Sequence, residues 1–216
     1  PYGKECRSCW TVSDDEHILV GMDAKGLELR MLANYMNDEE YIHEVVEGDP
    51  HAYNQKLAGL PTRTSAKTFI YAFIYGAGDR KIGSIINGSA EQGKKLREKF
   101  LTSIPKLNSL VNNVQKFATR GYIRGIDGRR MMIRHPHAAL NTLIQGGGAS
   151  ICKDWLVNMI TRINNTGVDA KLVASVHDEY QFEVAKGDVK RFGMITKEAI
   201  KDTEHKLNFR CPLDST

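Results

Sequence analysis

Apolar residues recur at helical spacing along most of the chain, with polar positions between them. The pattern breaks at glycine- and proline-containing stretches such as 48–50 and 59–61, which are typical of helix ends. It predicts helices at 27–36, 38–60 with those two breaks, 62–75, 90–101, 104–120, 138–164 and 189–207. Three consecutive glycines at 146–148 predict an interruption in the helix at 138–164.

Three shorter stretches have the character of β-strands. Residues 17–22 form an apolar run that ends at Asp23, and 121–134 contain strand-like segments around a turn at 127–128. Residues 172–184 predict a hairpin, because strand-like runs stand on both sides of a polar tip. Since helix dominates and the strands suffice for a small antiparallel sheet, the predicted fold class is α+β.

The hairpin tip carries His177, Asp178 and Glu179 in succession. Adjacent carboxylates repel each other, and burying them costs free energy unless a cation or hydrogen-bond donors compensate. The apolar flanks predict a buried hairpin. The tip is therefore either an ordinary solvated turn or a place where a cation binds.

The helix at 62–75 combines cationic and aromatic residues on one face. Arg63, Lys67, Tyr71 and Tyr75 recur at every fourth position, so they follow one slowly rotating face of a helix. Two cations one turn apart suit the oxygens of a polyphosphate, and an aromatic ring can stack on a base or sugar. The alternative is a surface helix with a partly exposed aromatic edge. The apolar residues expected to anchor this helix are Phe69, Ile70, Phe73 and Ile74.

Asp23 is the second candidate metal ligand. An aspartate after a strand often only begins a turn, but a second carboxylate on an adjacent strand would change that interpretation. Asp178 is the candidate partner. Magnesium prefers a few carboxylates together with substrate phosphates. A carboxylate pair that holds a cation, together with a helix whose side chains donate hydrogen bonds to phosphate, suggests nucleotidyl transfer.

Composition narrows these possibilities only slightly. The 216 residues are 41% hydrophobic and 26% charged, which fits one large or two small globular domains. A net charge of +4 permits a polyanionic partner without requiring one. No apolar run approaches the roughly 20 residues of a membrane span, so no membrane association is expected.

The motifs resemble those of the family A, or polymerase I-like, DNA polymerases, particularly the replicative enzymes of short-tailed T-odd-type phages. Residues 23–33 resemble motif A, 63–76 motif B and 176–179 motif C, with lesser signatures at 127–130 and 141–145. One departure is Ala24-Lys25-Gly26, where many members carry Tyr-Ser-Gln, and the role of Lys25 is open.

The resemblance implies an architecture of palm and fingers. Residues 1–37 and 137–216 would form the palm, with the motif C hairpin at 172–184. Residues 38–136 would form the fingers, with the motif B helix at 62–76. The thumb and the exonuclease are expected to lie outside this chain, and a processivity factor could bind through the missing thumb. A phage-encoded enzyme of this kind would act in the host cytoplasm.

The resemblance also implies a reaction and a role for each matching residue. The reaction is template-directed addition of a deoxynucleotide to a primer 3′-hydroxyl, with release of pyrophosphate. Two Mg²⁺ ions would be held by Asp23, Asp178 and the backbone carbonyl of Ala24, and Lys67 would be the proton donor. The residues expected to bind the deoxynucleoside triphosphate are Ala24, Glu28, His51, Arg63, Lys67 and Tyr71, with Glu28 and Tyr71 as a gate against ribose. The residues expected to contact primer–template DNA are Tyr75, Arg129, Arg130, Asn141, Gln145, His177 and Glu179.

Three other functions remain open at this point. A single-subunit RNA polymerase shares the motif B pattern, although Glu28 and Glu179 favour DNA. A metal-dependent phosphohydrolase could use His177 and Asp178, although such a pair usually lies on a helix. A fragment that binds nucleic acid without catalysis would show salt-dependent binding alone.

Overall fold

The fold is described from a computed structural model that covers residues 3–216, without the side chains of Lys4 and Arg7. The first two residues of the predicted palm therefore lie outside the described part. Backbone proximity divides the chain into two units. Unit 1 contains residues 3–27, Ala149–Phe209 and Leu213–Thr216. Unit 2 contains Glu28–Gly148 and Arg210–Pro212.

Helices alternate with a few short strands in this part of the chain. The helices are α1 (Gly3–Ser8), α2 (Leu27–Met36), α3 (Glu39–Val46), α4 (Pro50–Ala58), α5 (Arg63–Ile74), α6 (Asp79–Ile85), α7 (Ala90–Ser103), α8 (Pro105–Ala118), α9 (Ala139–Thr166) and α10 (Val189–Lys206). The strands are β1 (His17–Asp23), β2 (Tyr122–Arg124), β3 (Arg130–Met132), β4 (Ala170–Val176) and β5 (Glu179–Ala185). Short 3₁₀ turns occupy Pro136–Ala138 and Lys186–Asp188.

The α+β fold class is confirmed, with two added helices, α1 and α6, and one uninterrupted helix. The seven residues of α6 were not predicted, because a short segment with Gly78 before it and Gly83 inside it offers little helical periodicity. Described residues 3–216 contain no helix that is both long and apolar enough to cross a bilayer.

The predicted interruption of α9 at residues 146–148 is wrong, because the helix runs continuously through them. The glycines permit close packing instead. A Cβ added to Gly147 would lie 2.2 Å from Cε of Met31, and one added to Gly146 would lie 2.2 Å from Sδ of Met131. Side chains of α2 and β3 thus occupy the space that larger residues would fill.

Unit 1 is built on an antiparallel sheet in the order β1–β5–β4. Tyr180, Phe182 and Val184 alternate along β5 and are buried. The C-terminal part of α9 and the helix α10 pack on this face. Trp155 lies 5.4 Å from the ring of Tyr180, and Phe192 lies 4.9 Å from that of Phe182. The buried side chains of β5 therefore fix the sheet that carries the hairpin.

The prediction of a buried hairpin is wrong for one of its two strands. Along β4, Leu172, Val173 and Val176 are exposed, whereas β5 alternates between buried and half-buried positions. Central β5 pairs on both edges, whereas β4 pairs only with β5 in this sheet. Apolar composition alone did not reveal which strand faces the core.

Unit 2 is mainly helical, and α5 shows why its cationic face is accessible. Ala66, Phe69, Ile70, Phe73 and Ile74 are buried on one side of α5. Phe100 of α7 makes edge-on contacts with Phe69 and Phe73 at 5.0 and 5.6 Å. At the N-terminus, Thr62 and Ser65 form a capping box. The predicted apolar anchor is confirmed, and the opposite face points away from the core.

Far from the hairpin tip, His17 joins two segments of unit 1. Its Nδ1 lies 2.7 Å from Asp14 and its Nε2 lies 3.2 Å from Asp169, just before β4. The hydrogen bond with Asp14, and then that with Asp169, raises the pKa of His17 above its ordinary value of 6.5. A raised pKa means that protonated His17 stabilises the folded state below pH 6.5 and that this contribution disappears as the pH rises through the folded pKa.

We therefore expect the stability difference between wild type and His17→Gln to depend on pH. Melting temperatures measured from about pH 5.5 to about pH 8.5 should show the largest wild-type advantage at the acid end. The advantage should shrink as the imidazole loses its proton. A constant difference across this range would contradict the ion-paired arrangement.

Candidate active site

In unit 1, the end of β1 lies beside the hairpin tip. Residue Asp23 pairs with Glu179 in the antiparallel register. The next amide, that of Ala24, donates a hydrogen bond of 3.0 Å to the carbonyl of Asp178. The backbone therefore brings Asp23, Asp178 and Glu179 together from segments about 155 residues apart in sequence.

The tip itself is a two-residue turn between β4 and β5. His177 has a φ of 55°, a left-handed conformation that favours glycine or asparagine. Its side chain is exposed, whereas Asp178 and Glu179 are half-buried. The side chain of Glu179 accepts a hydrogen bond from Gln181, so it is held along the strand. The turn thus presents Asp178 at the end of the sheet.

The C-terminal residues line the other edge of β1. The amide of Asp23 donates to the carbonyl of Thr216 at 2.9 Å, and the amide of Thr216 donates back at 3.0 Å. Lys25 extends this pairing, since its amide donates to the backbone carbonyl of Asp214. The Nζ of Lys25 also lies 3.8 Å from the side-chain carboxylate of Asp214. The structure thus gives Lys25 a partner, which the sequence had left open.

The donor set of this cluster fits a hard divalent cation. Within residues 3–216, no group of three or more His, Cys, Asp or Glu side chains is arranged as a metal site. Two aspartates and a carbonyl nevertheless match what Mg²⁺ takes from a protein when substrate phosphates supply the remaining oxygens.

In unit 2, the cationic face of α5 is joined to the start of α4. The Nε of Arg63 lies 2.6 Å from Oδ2 of Asp49. Asp49 also caps α4 by accepting from the amides of His51 and Ala52. The hydrogen bond from Arg63, followed by those from the amides, lowers the pKa of Asp49 to about 2. Arg63 is thus already oriented by a carboxylate, whereas Lys67, one turn further on, is exposed.

His51 lies on α4 beside this cationic face. Its ring centroid is 6.0 Å from that of Tyr71. Burial lowers the pKa of His51, and the positive charges of Arg63 and Lys67 lower it further, while Asp49 opposes them. Its Nδ1 is buried without a hydrogen-bond partner among the described residues. The lowered pKa favours the neutral imidazole, and its Nδ1 is a polar atom without a partner among the described residues.

Hydrogen bonds between side chains connect three other predicted site residues in unit 2. The hydroxyl of Tyr75 lies 3.4 Å from Oε1 of Glu28, and Nε2 of Gln145 donates to that hydroxyl at 3.1 Å. The sequence had associated Glu28 with Tyr71. The structure adds a hydrogen bond that Tyr75, at the end of α5, donates to Glu28.

The predicted duplex-binding residues are engaged within the protein. Arg129 donates to the carbonyl of Gly146 at 2.9 Å and lies 3.3 Å from Asp127. Arg130 lies over the ring of Tyr122 at 4.9 Å. Asn141 has a buried Oδ1 without a hydrogen-bond partner in the described part of the chain. Arg129 and Arg130 nevertheless remain exposed enough to meet a phosphate.

Comparison with protein families decides the assignment. The sequence profile of DNA polymerase family A matches residues 1–216. The chain belongs to DNA polymerase family A. The resemblance inferred from the three motifs is thereby confirmed over the full length.

Individual family A relatives agree with this assignment. The proteins named DNA-directed DNA polymerase of Enterobacteria phage T3 and Escherichia phage T7 are each 38% identical over 100% of the chain. DNA polymerase I of Geobacillus stearothermophilus is 24% identical over 98% of it. The chain spans 35% of the T3 and T7 proteins and 26% of the Geobacillus protein. It therefore corresponds to only part of a family A polymerase relative.

A solved polymerase domain has the same fold. The POL domain of Pol1 from M. smegmatis, in complex with DNA primer-template and dNTP, has a TM-score of 0.84 and 23% identity. The similarity covers 95% of this chain and 40% of that one. The α+β fold is therefore that of a polymerase domain.

Two neighbours of predicted site residues were missed from the sequence. Asp49, which orients Arg63, precedes Pro50 at a helix start, and this signal marks a helix cap but not an ion pair. Asp214, which faces Lys25, lies near the C-terminus and carries no motif. Both depend on tertiary pairing between distant segments.

Proposed function

We propose that this chain carries the catalytic residues of a DNA polymerase that extends a primer by one deoxynucleotide at a time under template direction. The observation that carries the proposal is the hydrogen bond between Ala24 and Asp178, which joins the ends of motifs A and C. Membership of family A supports the same reaction. By analogy with its phage relatives, it would serve viral DNA replication in the host cytoplasm.

We further propose the palm and fingers assignment for this chain. Residues 1–37 and 137–216 would serve as the palm, and 38–136 as the fingers. The sheet with Asp23 and Asp178 supports the first, and the helical surroundings of α5 support the second. We also propose that a processivity factor, if the whole protein uses one, would bind through a thumb subdomain.

The cation of this reaction would be Mg²⁺, held by Asp23, Asp178 and the Ala24 carbonyl. When bound, a pair of such ions lowers the pKa of the primer hydroxyl and neutralises charge on the leaving pyrophosphate. The aspartates supply the negative charge that fixes this position. Glu179 would support the cluster through its place opposite Asp23.

The nucleotide would be bound by the exposed face of α5 and by His51. Arg63, already oriented by Asp49, would turn its remaining guanidinium donors toward phosphate oxygens. Lys67 would contact the oxygens that become pyrophosphate and give them a proton. Tyr71 would stack on the incoming nucleotide, and the ring contact with His51 supports its orientation.

Residues at the end of α5 would position the templating base and exclude a ribose. Glu28 is held by Tyr75, which Gln145 holds in turn. Loss of Tyr75 would therefore loosen Glu28 as well as the contact to the template. We propose that selection against the 2′-hydroxyl depends on Tyr75 through Glu28, together with Tyr71.

The remaining contacts would be made to the duplex. Arg129 and Arg130 would meet backbone phosphates, and Asn141 and Gln145 would reach the minor-groove edge of the new base pairs. His177, exposed at the turn, would touch the primer terminus.

Protonation of His51 on nucleotide binding would have a measurable consequence. Its pKa in the free protein is lowered, and a bound triphosphate would raise it by bringing negative charge beside the ring. At a pH between the pKa of His51 in the free protein and its pKa in the nucleotide complex, nucleotide binding is accompanied by uptake of up to one proton. Nucleotide affinity should therefore increase as the pH falls through the bound-state pKa, by up to about tenfold per pH unit.

Equilibrium titration with a deoxynucleoside triphosphate measures this dependence, in the presence of a primed template whose primer lacks the 3′-hydroxyl and cannot be extended. The nucleotide also titrates near neutral pH, so His51→Gln is measured with the same nucleotide as the reference. The variant should have a flatter profile than wild type. Parallel profiles for the two proteins would mean that His51 does not take up the proton.

Single-nucleotide extension tests the proposed function directly. The chain, in excess over a primed template with Mg²⁺ and the matching nucleotide, should lengthen the primer by one residue. Extension should require the primer and should favour deoxynucleotides over ribonucleotides. Release of phosphate without a primer would favour a phosphohydrolase, and preferred use of ribonucleotides would favour an RNA polymerase.

Asp23→Ala is the control that connects extension with the carboxylate cluster. It should abolish extension while the protein still binds primed template. Absence of extension in wild type, both for this chain and for the full-length protein, would overturn the proposal. Activity of the full-length protein alone would mean that residues outside the chain are needed for the chemistry.

A further inference from the structure

A groove in unit 2 is not used by any of the roles above. It lies between α8, β2 and the start of α9, with a volume of about 470 Å³. This volume is within the range of roughly 300–1,000 Å³ found for ligand sites. The side chains that decide its character are Leu110, Val114, Phe117, Arg120, Tyr122 and Arg124. We call it the α8–β2 groove.

The floor of the α8–β2 groove is part of a packed core. Val114, Ile123 and Leu143 belong to one buried hydrophobic cluster, on which Tyr35 and Leu110 also pack. A floor of this kind is fixed before any ligand arrives, so binding would not require the floor to become ordered.

The rim of the groove combines aromatic rings with positive charge. Phe117 is 47% exposed, and the guanidinium of Arg120 lies 5.0 Å from its ring centroid. Arg124 is held by a hydrogen bond of 3.2 Å to the carbonyl of Gly128. The described residues that line the groove include two arginines and no aspartate or glutamate.

This chemistry matches one class of ligand. An apolar floor beside the exposed ring of Phe117 accommodates a flat, unstacked base, and arginines at the rim meet phosphates on either side of it. Bases in a duplex are stacked on each other and cannot offer a face to Phe117. We propose that the α8–β2 groove binds a base of single-stranded template DNA, with Arg120 and Arg124 on the flanking phosphates. This inference rests on the proposed function, which supplies the template strand.

Binding of two labelled single-stranded probes by the intact chain tests the groove. One probe is oligothymidylate, and the other has the same length and backbone but no bases. Phe117→Ala should weaken binding of oligothymidylate by roughly fivefold or more, because base stacking on an aromatic ring contributes about 1–3 kcal/mol. It should leave the abasic probe unchanged. Phe117→Trp should restore binding.

Two further variants separate base from phosphate recognition. Arg120→Gln should weaken both probes and reduce the slope of log affinity against log salt by about 0.7. Met194→Ala removes an apolar side chain of α10 that is even more exposed than Phe117, and it should change the binding of neither probe. Equal effects of Phe117→Ala on both probes, or no effect on either, would overturn the groove as a base site.

Primer extension distinguishes failure of the groove from failure of the proposed function. A template with a single unpaired nucleotide is too short to reach beyond the templating position. Wild type and Phe117→Ala should extend it equally. If wild type and Phe117→Ala extend this template equally, and oligothymidylate also binds the two proteins with equal affinity, the groove proposal fails and the polymerase proposal stands. Loss of extension in Phe117→Ala on this short template would also overturn the groove proposal, since a chemical role would then explain the residue.

Discussion

Asp178→Asn should reduce single-nucleotide extension by at least about 10³-fold while leaving the fold and primed-template binding largely intact. The substitution keeps the size of the side chain and removes its negative charge. Mg²⁺ is held by oxygens of high charge density, and the neutral amide of asparagine is a weaker ligand than a carboxylate. The variant should therefore lose most of the transition-state stabilisation that a metal ion supplies, which is several kcal/mol. Asp178 is half-buried at a turn, so its replacement disturbs no core packing.

A single-turnover rate and a template-binding constant, measured on the same preparation, check this expectation. Asp15→Asn is the matched control, because Asp15 is an exposed carboxylate of unit 1 before β1. It should retain the full extension rate. Asp178→Asn with more than about a tenth of the wild-type rate would remove Asp178 from the metal role, since tenfold corresponds to only about 1.4 kcal/mol.

His177→Asn separates the imidazole from the backbone at the same turn. Asparagine tolerates the left-handed conformation that His177 adopts, so the variant should melt within a few degrees of wild type. Extension should fall if the imidazole contacts the primer terminus. Equal extension rates would leave His177 with a conformational role only.

Secondary structure was predictable wherever the hydrophobic pattern was long and regular. Helix α2 occupies the predicted residues, and β1 ends at the predicted Asp23. The interruption in α9 was wrong because a glycine has the same appearance in a sequence whether it ends a helix or permits a close contact. Only the positions of Met31 and Met131 reveal the second reason.

The residues of the candidate site are a prediction from motifs, whereas several of their contacts appeared only in the structure. Motifs A and C identify Asp23 and Asp178, and the structure adds the backbone hydrogen bond that joins their segments. Recurrence at every fourth position identifies the cationic and aromatic face of α5. It does not reveal that Asp49 holds Arg63 or that Tyr75 contacts Glu28. Such pairs connect elements whose relative placement is set by packing, which no local pattern encodes.

Replacement of Lys67 should have the second largest effect, and it should affect the chemical step more than nucleotide binding. Lys67→Ala removes both a positive charge and a proton donor from the face of α5. Loss of a charge-stabilising donor typically costs 10²–10³ in rate, and general acid catalysis contributes on the order of 10²–10⁴. We expect a decrease in the maximal single-turnover rate of about 10²–10³-fold and a smaller change in nucleotide affinity. Lys81→Ala on α6 removes another exposed lysine of unit 2 and should have little effect.

Lys67→Arg distinguishes the charge from the proton. Arginine keeps the positive charge, but its pKa is too high for it to give up a proton at neutral pH. If Lys67 acts only through charge, Lys67→Arg should recover most of the wild-type rate. If it also donates a proton, the arginine variant should stay well below wild type and lose the solvent deuterium isotope effect of the chemical step. Wild-type rates for both substitutions would mean that the face of α5 binds the nucleotide without taking part in the chemistry, and the charge on pyrophosphate would then have to be neutralised elsewhere.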